Sequence, residues 1–257
     1  MITKLFEFIG SGTMNFINDS GKIMILLFKT IVRIFRLPVN FREILKQMEE
    51  VGVHSIPVVL IMSVFTGMVL ALQTFTGFRR FGAEAFIGTI VALSMTRELG
   101  PVLTGLMVSG RVGAGMAAEL GTMRVTEQID ALHTLATDPI KYLIVPRFIA
   151  TLFIMPILVI FSDIIGIIGG YFVSVKLLGS NPTIYLNRTW DYLEFEDIYV
   201  GLIKSCAFGM IIAIVGCYQG FYTEGGAEGV GKATTKAVVL SSLMILISNY
   251  FITAFLF

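Results

Sequence analysis

The sequence predicts an all-α membrane protein: five transmembrane helices preceded by an N-terminal interfacial or re-entrant amphipathic helix, with no soluble domain. Three observations predict it. Of 257 residues, 55% are hydrophobic and only 14% charged, with a mean hydropathy of +0.83, whereas soluble domains carry about 25% charged residues. Such a surplus of apolar surface cannot be hidden inside one globule of this length, so lipid must solvate it. The apolar residues also gather into runs close to the ~20 residues that a helix needs to cross hydrocarbon. Finally, Lys and Arg are divided unevenly between the connections of these runs.

Residues 1–50 form an N-terminal interfacial segment. Over residues 21–37 the basic side chains are Lys22, Lys29, Arg33 and Arg36, at spacings of seven, four and three. On a helix turning ~100° per residue they share one face, and Ile23, Ile25, Leu26, Leu27, Ile31, Ile34 and Phe35 cover the rest. A basic stripe on an apolar helix suits the headgroup region, with amines toward phosphates. The alternative is a sixth span that tolerates snorkelling lysines. Glu7 and Asp19 interrupt the first stretch, so it does not read as a secretory signal.

Residues 51–257 form the transmembrane domain, with spans at 56–78, 83–108, 148–178, 200–221 and 237–257. Residues 1–50 hold seven Lys and Arg, the 121–147 connection three (Arg124, Lys141, Arg147) and the 222–236 connection two (Lys232, Lys236). The opposite side holds four: Arg79, Arg80, Lys176 and Arg188. Twelve against four places the N-terminus in the cytoplasm and the C-terminus outside.

Several chemistries are excluded. A net charge of +1 lacks the basic excess of nucleic-acid-binding domains. Cys206 and Cys217 share one apolar run, too far apart to bridge, and read as buried thiols with no metal site. Gly226-Ala-Glu-Gly-Val-Gly231-Lys232-Ala233 approaches a phosphate-binding loop, but that loop needs a preceding strand and a Ser or Thr hydroxyl for magnesium where Ala233 stands. The segment therefore reads as a glycine-rich cytoplasmic turn, and the chain as a transport subunit without an ATPase site or cofactor of its own. Gly113-x-Gly115 is too slight for a dinucleotide site. Glu127, Asp130 and His133 are three apart and share a helix face; such a trio can bind metal, but a solvated face is the ordinary reading. No nucleophile is paired with a base, so no catalytic residue is assigned.

Charges inside spans carry more information, because an ionisable group at mid-membrane costs several kcal/mol and turns toward protein or a wet cavity. Arg97 and Glu98 lie ~15 residues into the second span, about 22 Å from its outer end. As neighbours they point ~100° apart, so one can face a cavity while the other pairs with an adjacent helix; the alternative is an ion pair that only locks helices. Pro101 removes a backbone hydrogen bond and predicts a kink. Gln73, near the end of the first span, is a cavity or an interface residue. Asp163 and Lys204 sit in consecutive spans and are expected to pair structurally. Gly105, Ser109, Gly113, Ala117 and Gly121 recur every four residues, the spacing that lets helices approach closely in lipid; the partner helix is in this chain or in a second copy. The stretch that follows is too polar to span. Residues 126–135 read as a short amphipathic helix with Ile129, Leu132 and Leu135 on one side, stopped by Asp138-Pro139. An ordered connection of this kind suits partner docking, and in a transporter the natural partner is the ATPase.

Three blocks are long and specific: Glu98-Leu-Gly-Pro-Val-Leu-Thr-Gly-Leu-Met-Val-Ser-Gly-Arg-Val-Gly-Ala-Gly-Met, Arg124-Val-Thr-Glu-Gln-Ile-Asp-Ala-Leu, and Gly226-Ala-Glu-Gly-Val-Gly-Lys-Ala-Thr-Thr-Lys-Ala-Val-Val. On these, the sequence from about Val39 onward resembles the MlaE (YrbE) family of ABC transporter permeases. The resemblance implies a phospholipid transporter of the Gram-negative inner membrane that exchanges lipid with a periplasmic MCE-domain carrier and maintains outer-membrane lipid asymmetry. It implies a homodimer, a separate cytoplasmic ATPase (MlaF) that holds ATP and magnesium, a STAS-domain protein (MlaB) and a periplasmic MCE hexamer (MlaD). By the same resemblance Glu98 lies beside lipid in a central cavity. Residues 124–138 would be the coupling helix, presenting Glu127, Asp130, Leu132, His133 and Leu135 to the ATPase. Lipid-site roles for Leu70, Gln73 and Arg97 follow from position, not from a family motif. Two other classes fit less well: a secondary transporter would show two similar halves, and a membrane-embedded lipid enzyme would need clustered acids or histidines at the interface.

Overall fold

The computed structural model describes residues 2–35 and 40–256, and every regular element in it is helical. Arg36 and Leu37 of the basic segment, and Phe257 of the last span, lie outside the described residues, as does the Lys4 side chain. Among the described residues five helical runs are long and apolar enough to cross a membrane: Phe41–Phe81, Glu84–Val125, Ile140–Leu177, Phe195–Phe221 and Gly226–Leu256.

The first element, α1 (Ile2–Ile34), precedes these five. Its Leu26 and Thr30 are buried, and Ile23, Leu27 and Ile34 pack on Phe148, Ala213 and Ile214. Lys22 and Lys29 are exposed among Met24, Ile25 and Phe28. The helix thus lies against the bundle by one apolar face. The first spanning run joins α2 (Phe41–Gly52) to α3 (Ile56–Phe78), with Pro57 in the first turn of α3, where its missing N–H leaves no intrahelical bond unmade.

The second run is one continuous rod built of α4 (Ile87–Ser94), a π turn at Met95–Leu99, α5 (Gly100–Val108), a second π turn at Ser109–Gly113, and α6 (Ala114–Val125). It extends well beyond residue 108, where apolar character fades, because the small residues that follow still pack inside the molecule. A short α7 (Gln128–Thr134) leads to a third π turn at Ile140–Ile144 and α8 (Val145–Tyr171). At the far end Asn181 caps α9 (Pro182–Tyr192), accepting from the Thr183 amide at 2.9 Å. A capping box between Glu194 and Asp197 then starts α10 (Phe195–Phe221).

The last helix, α11 (Gly226–Leu256), corrects the expected turn at 226–233. Chain reversal is confined to the residues before it, with Gly225 and Gly226 at φ 90° and 67°. From there Ala, Val and Thr wind directly into helix, and Lys232 pairs with Glu228 one turn back at 2.7 Å.

Packing is closest between α3 and α8. A Cβ on Gly67 would stand 1.9 Å from the Gly166 carbonyl oxygen, and one on Gly169 would stand 2.6 Å from that of Val64. Ser63 and Ser162 bond across the same seam at 2.7 Å. In lipid, such backbone proximity supplies the dispersion and weak polar contacts that the hydrophobic effect does not. The small-residue row of α5 and α6 finds its partners inside this chain: Gly105 faces Phe208 and Ile245, Ser109 bonds Ser241 at 2.6 Å, and Gly121 faces Thr223 and Val230. Gly113 and Ala117 offer their carbonyls to Gly216 and Gly220 of α10, at 3.0 and 2.8 Å from the Cβ positions.

Candidate functional site

Pro101 organises the centre of the molecule. Having no N–H, it cannot bond the carbonyl of Arg97 four residues back, and the helix widens there into the π turn at Met95–Leu99. The freed Arg97 carbonyl is taken by the ammonium of Lys204 on α10, at 2.7 Å. The same ammonium donates to Glu98 Oε1 at 2.7 Å. From α11, Asn249 Nδ2 donates to Glu98 Oε2 at 2.8 Å, and the Thr253 hydroxyl to Oε1 at 3.1 Å. Lys204 is fully buried while the Glu98 side chain keeps 39% of its exposure, so a carboxylate anchored from behind presents an open edge. Gly201 of α10 makes this approach possible, since a Cβ there would stand 2.3 Å from the Thr96 carbonyl.

Arg97 turns the other way and bonds Asp197, whose second oxygen accepts the Glu194 amide at 3.0 Å and so caps α10. Both neighbours are therefore fastened to α10, one at its start and one two turns further along. Asp163 does not meet Lys204, contrary to expectation. It lies against Gly100, where a Cβ would fall 1.8 Å from its Oδ1, and that oxygen has no hydrogen-bond partner. The lysine is instead drawn to the carbonyl that Pro101 leaves open. Leu70 and Gln73 line a different hollow, a groove of about 380 Å³ shared with Phe65, Val69 and Leu99. The four expected lipid-site residues thus fall into two places, joined by the π turn that carries Arg97, Glu98 and Leu99.

With this geometry in view, comparison with known proteins is decisive. Residues 44–255 match the family described as Permease MlaE. The chain is a member of the MlaE permease family. A probable ABC transporter permease protein of Rickettsia felis is 53% identical over all of this chain and 99% of its own length. The intermembrane phospholipid transport system permease protein MlaE of Haemophilus influenzae is 35% identical over all of this chain and 99% of its own. Trigalactosyldiacylglycerol 1 of Arabidopsis thaliana chloroplasts is 39% identical over 91% of this chain and 67% of its own.

In this MlaE-family permease the 124–138 connection folds more tightly than its pattern suggested. Glu127 adopts φ 59° and precedes α7 instead of joining its face. Asp130 pairs with Arg124 at 2.7 Å. Ile129 is buried and Leu132 partly so, but Leu135 lies past the helix end and is 73% exposed. The left-handed Ala136 that follows turns the chain away, leaving Leu135 and His133 facing outward. Asp138 then accepts the Ile140 amide at 3.0 Å and pairs with Arg33 of α1. Burial pushes the Asp138 carboxyl up, but the Arg33 guanidinium outweighs this and holds it below the usual carboxylate range. Among the described residues no three His, Cys, Asp or Glu side chains gather as a metal site. Cys217 is buried and Cys206 only half-buried, both free.

Sequence reasoning on the permease missed Asn249 and Thr253, which are ordinary polar residues in an apolar run until α11 is laid against the π turn. It missed the α3–α8 seam as well. The available signal was Ser63, Gly67 and Ala71 in step with Ser162, Gly166 and Gly170.

Proposed function

We propose that this permease is the membrane subunit of an ATP-driven phospholipid transporter in a bacterial inner membrane, with its N-terminus in the cytoplasm and its C-terminus in the periplasm. Two copies enclose a cavity, and lipid passes beside Glu98 on its way to or from a periplasmic MCE-domain hexamer of the MlaD kind. ATP and magnesium sit on a separate cytoplasmic ATPase of the MlaF kind, with a STAS-domain MlaB protein bound to it. The observation that carries this reading is the half-open Glu98 carboxylate held on a buried lysine at mid-span. An ionised group there is costly unless it meets a polar partner passing through. The printed name of the Haemophilus influenzae relative, which specifies phospholipid, supports the substrate class.

Each part of the site has a role. Lys204, Asn249 and Thr253 fix the carboxylate, so its open edge can meet a headgroup without reorganising. Leu70, Gln73 and Leu99 offer an apolar groove for an acyl chain. Leu135, His133, Glu127 and Asp130 form the outward side of the connection that the ATPase would grip, and ATP-driven closure would pass through the rod Glu84–Val125 to the π turn.

Glu98→Lys and Glu98→Leu, reconstituted with the ATPase in vesicles, are expected to assemble normally and to lose lipid transfer. Transfer at the parent rate would remove Glu98 from the path. Charge reversal at Asp130 is expected to release the ATPase on purification; a complex that stays intact, with ATP hydrolysis still stimulated by lipid, would show that docking lies elsewhere.

A further inference from the structure

A second polar hollow lies at the α7 end of the molecule and has no part in the site above. Between α2 and α6 a cavity of about 310 Å³ is lined by Lys46, Glu50, Arg111 and Glu119. Arg111 also borders an apolar groove of about 250 Å³ that runs up between α3 and α5, past Val58, Leu106 and Met107. Gly115 lines the polar part and Gly110 the apolar part, and a Cβ on either would meet no atom within 4 Å. Both side-chain positions are empty where a ligand would lie.

The charges in the cavity balance: two cations and two anions. Arg111 is held in place, its Nη1 donating to the Glu50 carbonyl at 3.1 Å and to Ser55 Oγ at 3.0 Å. Glu119 is held through one oxygen, Oε2, which takes the buried Arg147 at 2.8 Å. Among the described residues Lys46 has no ion-pair partner, so an ammonium stands free across from a half-used carboxylate. A headgroup carrying both a phosphate and an amine satisfies both at once. A headgroup that is only anionic satisfies the lysine and leaves the carboxylates opposed to it.

We propose that this cavity binds a zwitterionic phospholipid of the phosphatidylethanolamine kind from the leaflet on the α7 side. Its phosphate rests between Lys46 and Arg111, its amine on Glu119 and Glu50, and one acyl chain lies in the groove over Gly110. The site rests on the reading of the chain as a lipid permease and deepens it, giving that leaflet its own lipid station ahead of the Glu98 region.

The assembled transporter is reconstituted in vesicles holding a trace of phosphatidylethanolamine with a photoactivatable acyl chain, and adducts are mapped by peptide mass spectrometry. Adducts are expected on residues 55–59 and 106–115. Lys46→Glu, Gly110→Leu and Gly115→Leu, all at open positions, should each reduce them by roughly fivefold, the size of one exposed ionic contact, with adducts around Leu70 and Leu99 unchanged. A matched phosphatidylglycerol probe should label 106–115 less by a similar factor. Undiminished labelling in the variants, equal labelling by both probes, or a parent protein unlabelled here because a second copy covers this face would each overturn the site. If adducts form but ATP moves no lipid, the site stands and the transport reading falls. If lipid moves without adducts here, the site alone falls.

Discussion

Lys204 answers two needs with one ammonium: the carbonyl orphaned by Pro101 and the carboxylate of Glu98. Removing it should therefore cost more than one hydrogen bond. Lys204→Met is expected to lower stability by about 2 kcal/mol, less than the ~3–5 kcal/mol of a fully buried pair because Glu98 keeps access to solvent. Pro101→Ala returns an N–H to the Arg97 carbonyl, so in the Lys204→Met background it should recover about 1 kcal/mol. A double-mutant cycle of thermal unfolding in detergent measures this, and strictly additive changes would show that the two residues act apart. The intramembrane charges Arg97 and Glu98 were legible in the sequence, because an ionisable group in an apolar run is conspicuous. Their partners were not. Sequence position gives the depth of Asp163 and Lys204 in the membrane but not the rotation of their helices, and rotation decides which of them Glu98 meets.

At the scale of elements, glycines at similar spacing carry unequal weight. Gly67→Ala would drive a methyl to 1.9 Å from a backbone oxygen, whereas Gly113→Ala would place one 3.6 Å from the nearest atom, a side-chain methyl. The first is expected to abolish monodisperse protein on gel filtration and the second to leave yield and melting temperature within a degree or two. The row from Gly105 to Gly121 was visible because its period lies within one helix. The tighter seam was hidden because its halves lie on α3 and α8, far apart in the chain, and only together form a contact. Pairing of α1 to the connection before α8 follows the same logic: Arg33 and Asp138 each read as surface charges alone. Because the folded Asp138 carboxyl is more acidic than a free one, this tie is intact at neutral pH and is lost as pH falls below about 4. Hydrogen exchange along residues 23–34 should quicken over that range, and in Asp138→Asn it should already be fast at neutral pH.

For the whole molecule, five spans put the two ends on opposite faces of the membrane, and the unequal basic charge says which is which. Ser20→Cys is expected to react with an impermeant maleimide only in inverted vesicles, and Asn187→Cys only from the outside of intact cells stripped of their outer membrane. Reaction of both from one side would refute the arrangement. The number and order of spans were readable because hydrocarbon thickness sets a length that few soluble helices match. Their ends were not, because α6 and α11 continue past the apolar run wherever small residues still find a helix to touch.

The π turn at Met95–Leu99 has one more consequence. It places an extra residue in the rod before α5, so everything downstream is set in phase by that single residue. Deleting any one position in the turn would restore ordinary winding and rotate α5 and α6 by ~100°. The row from Gly105 to Gly121 would swing off α10 and α11, and Met107 would be carried toward the interior. Over these five residues the count matters more than the letters, and one codon lost there acts on the folded molecule as a frameshift does on a message.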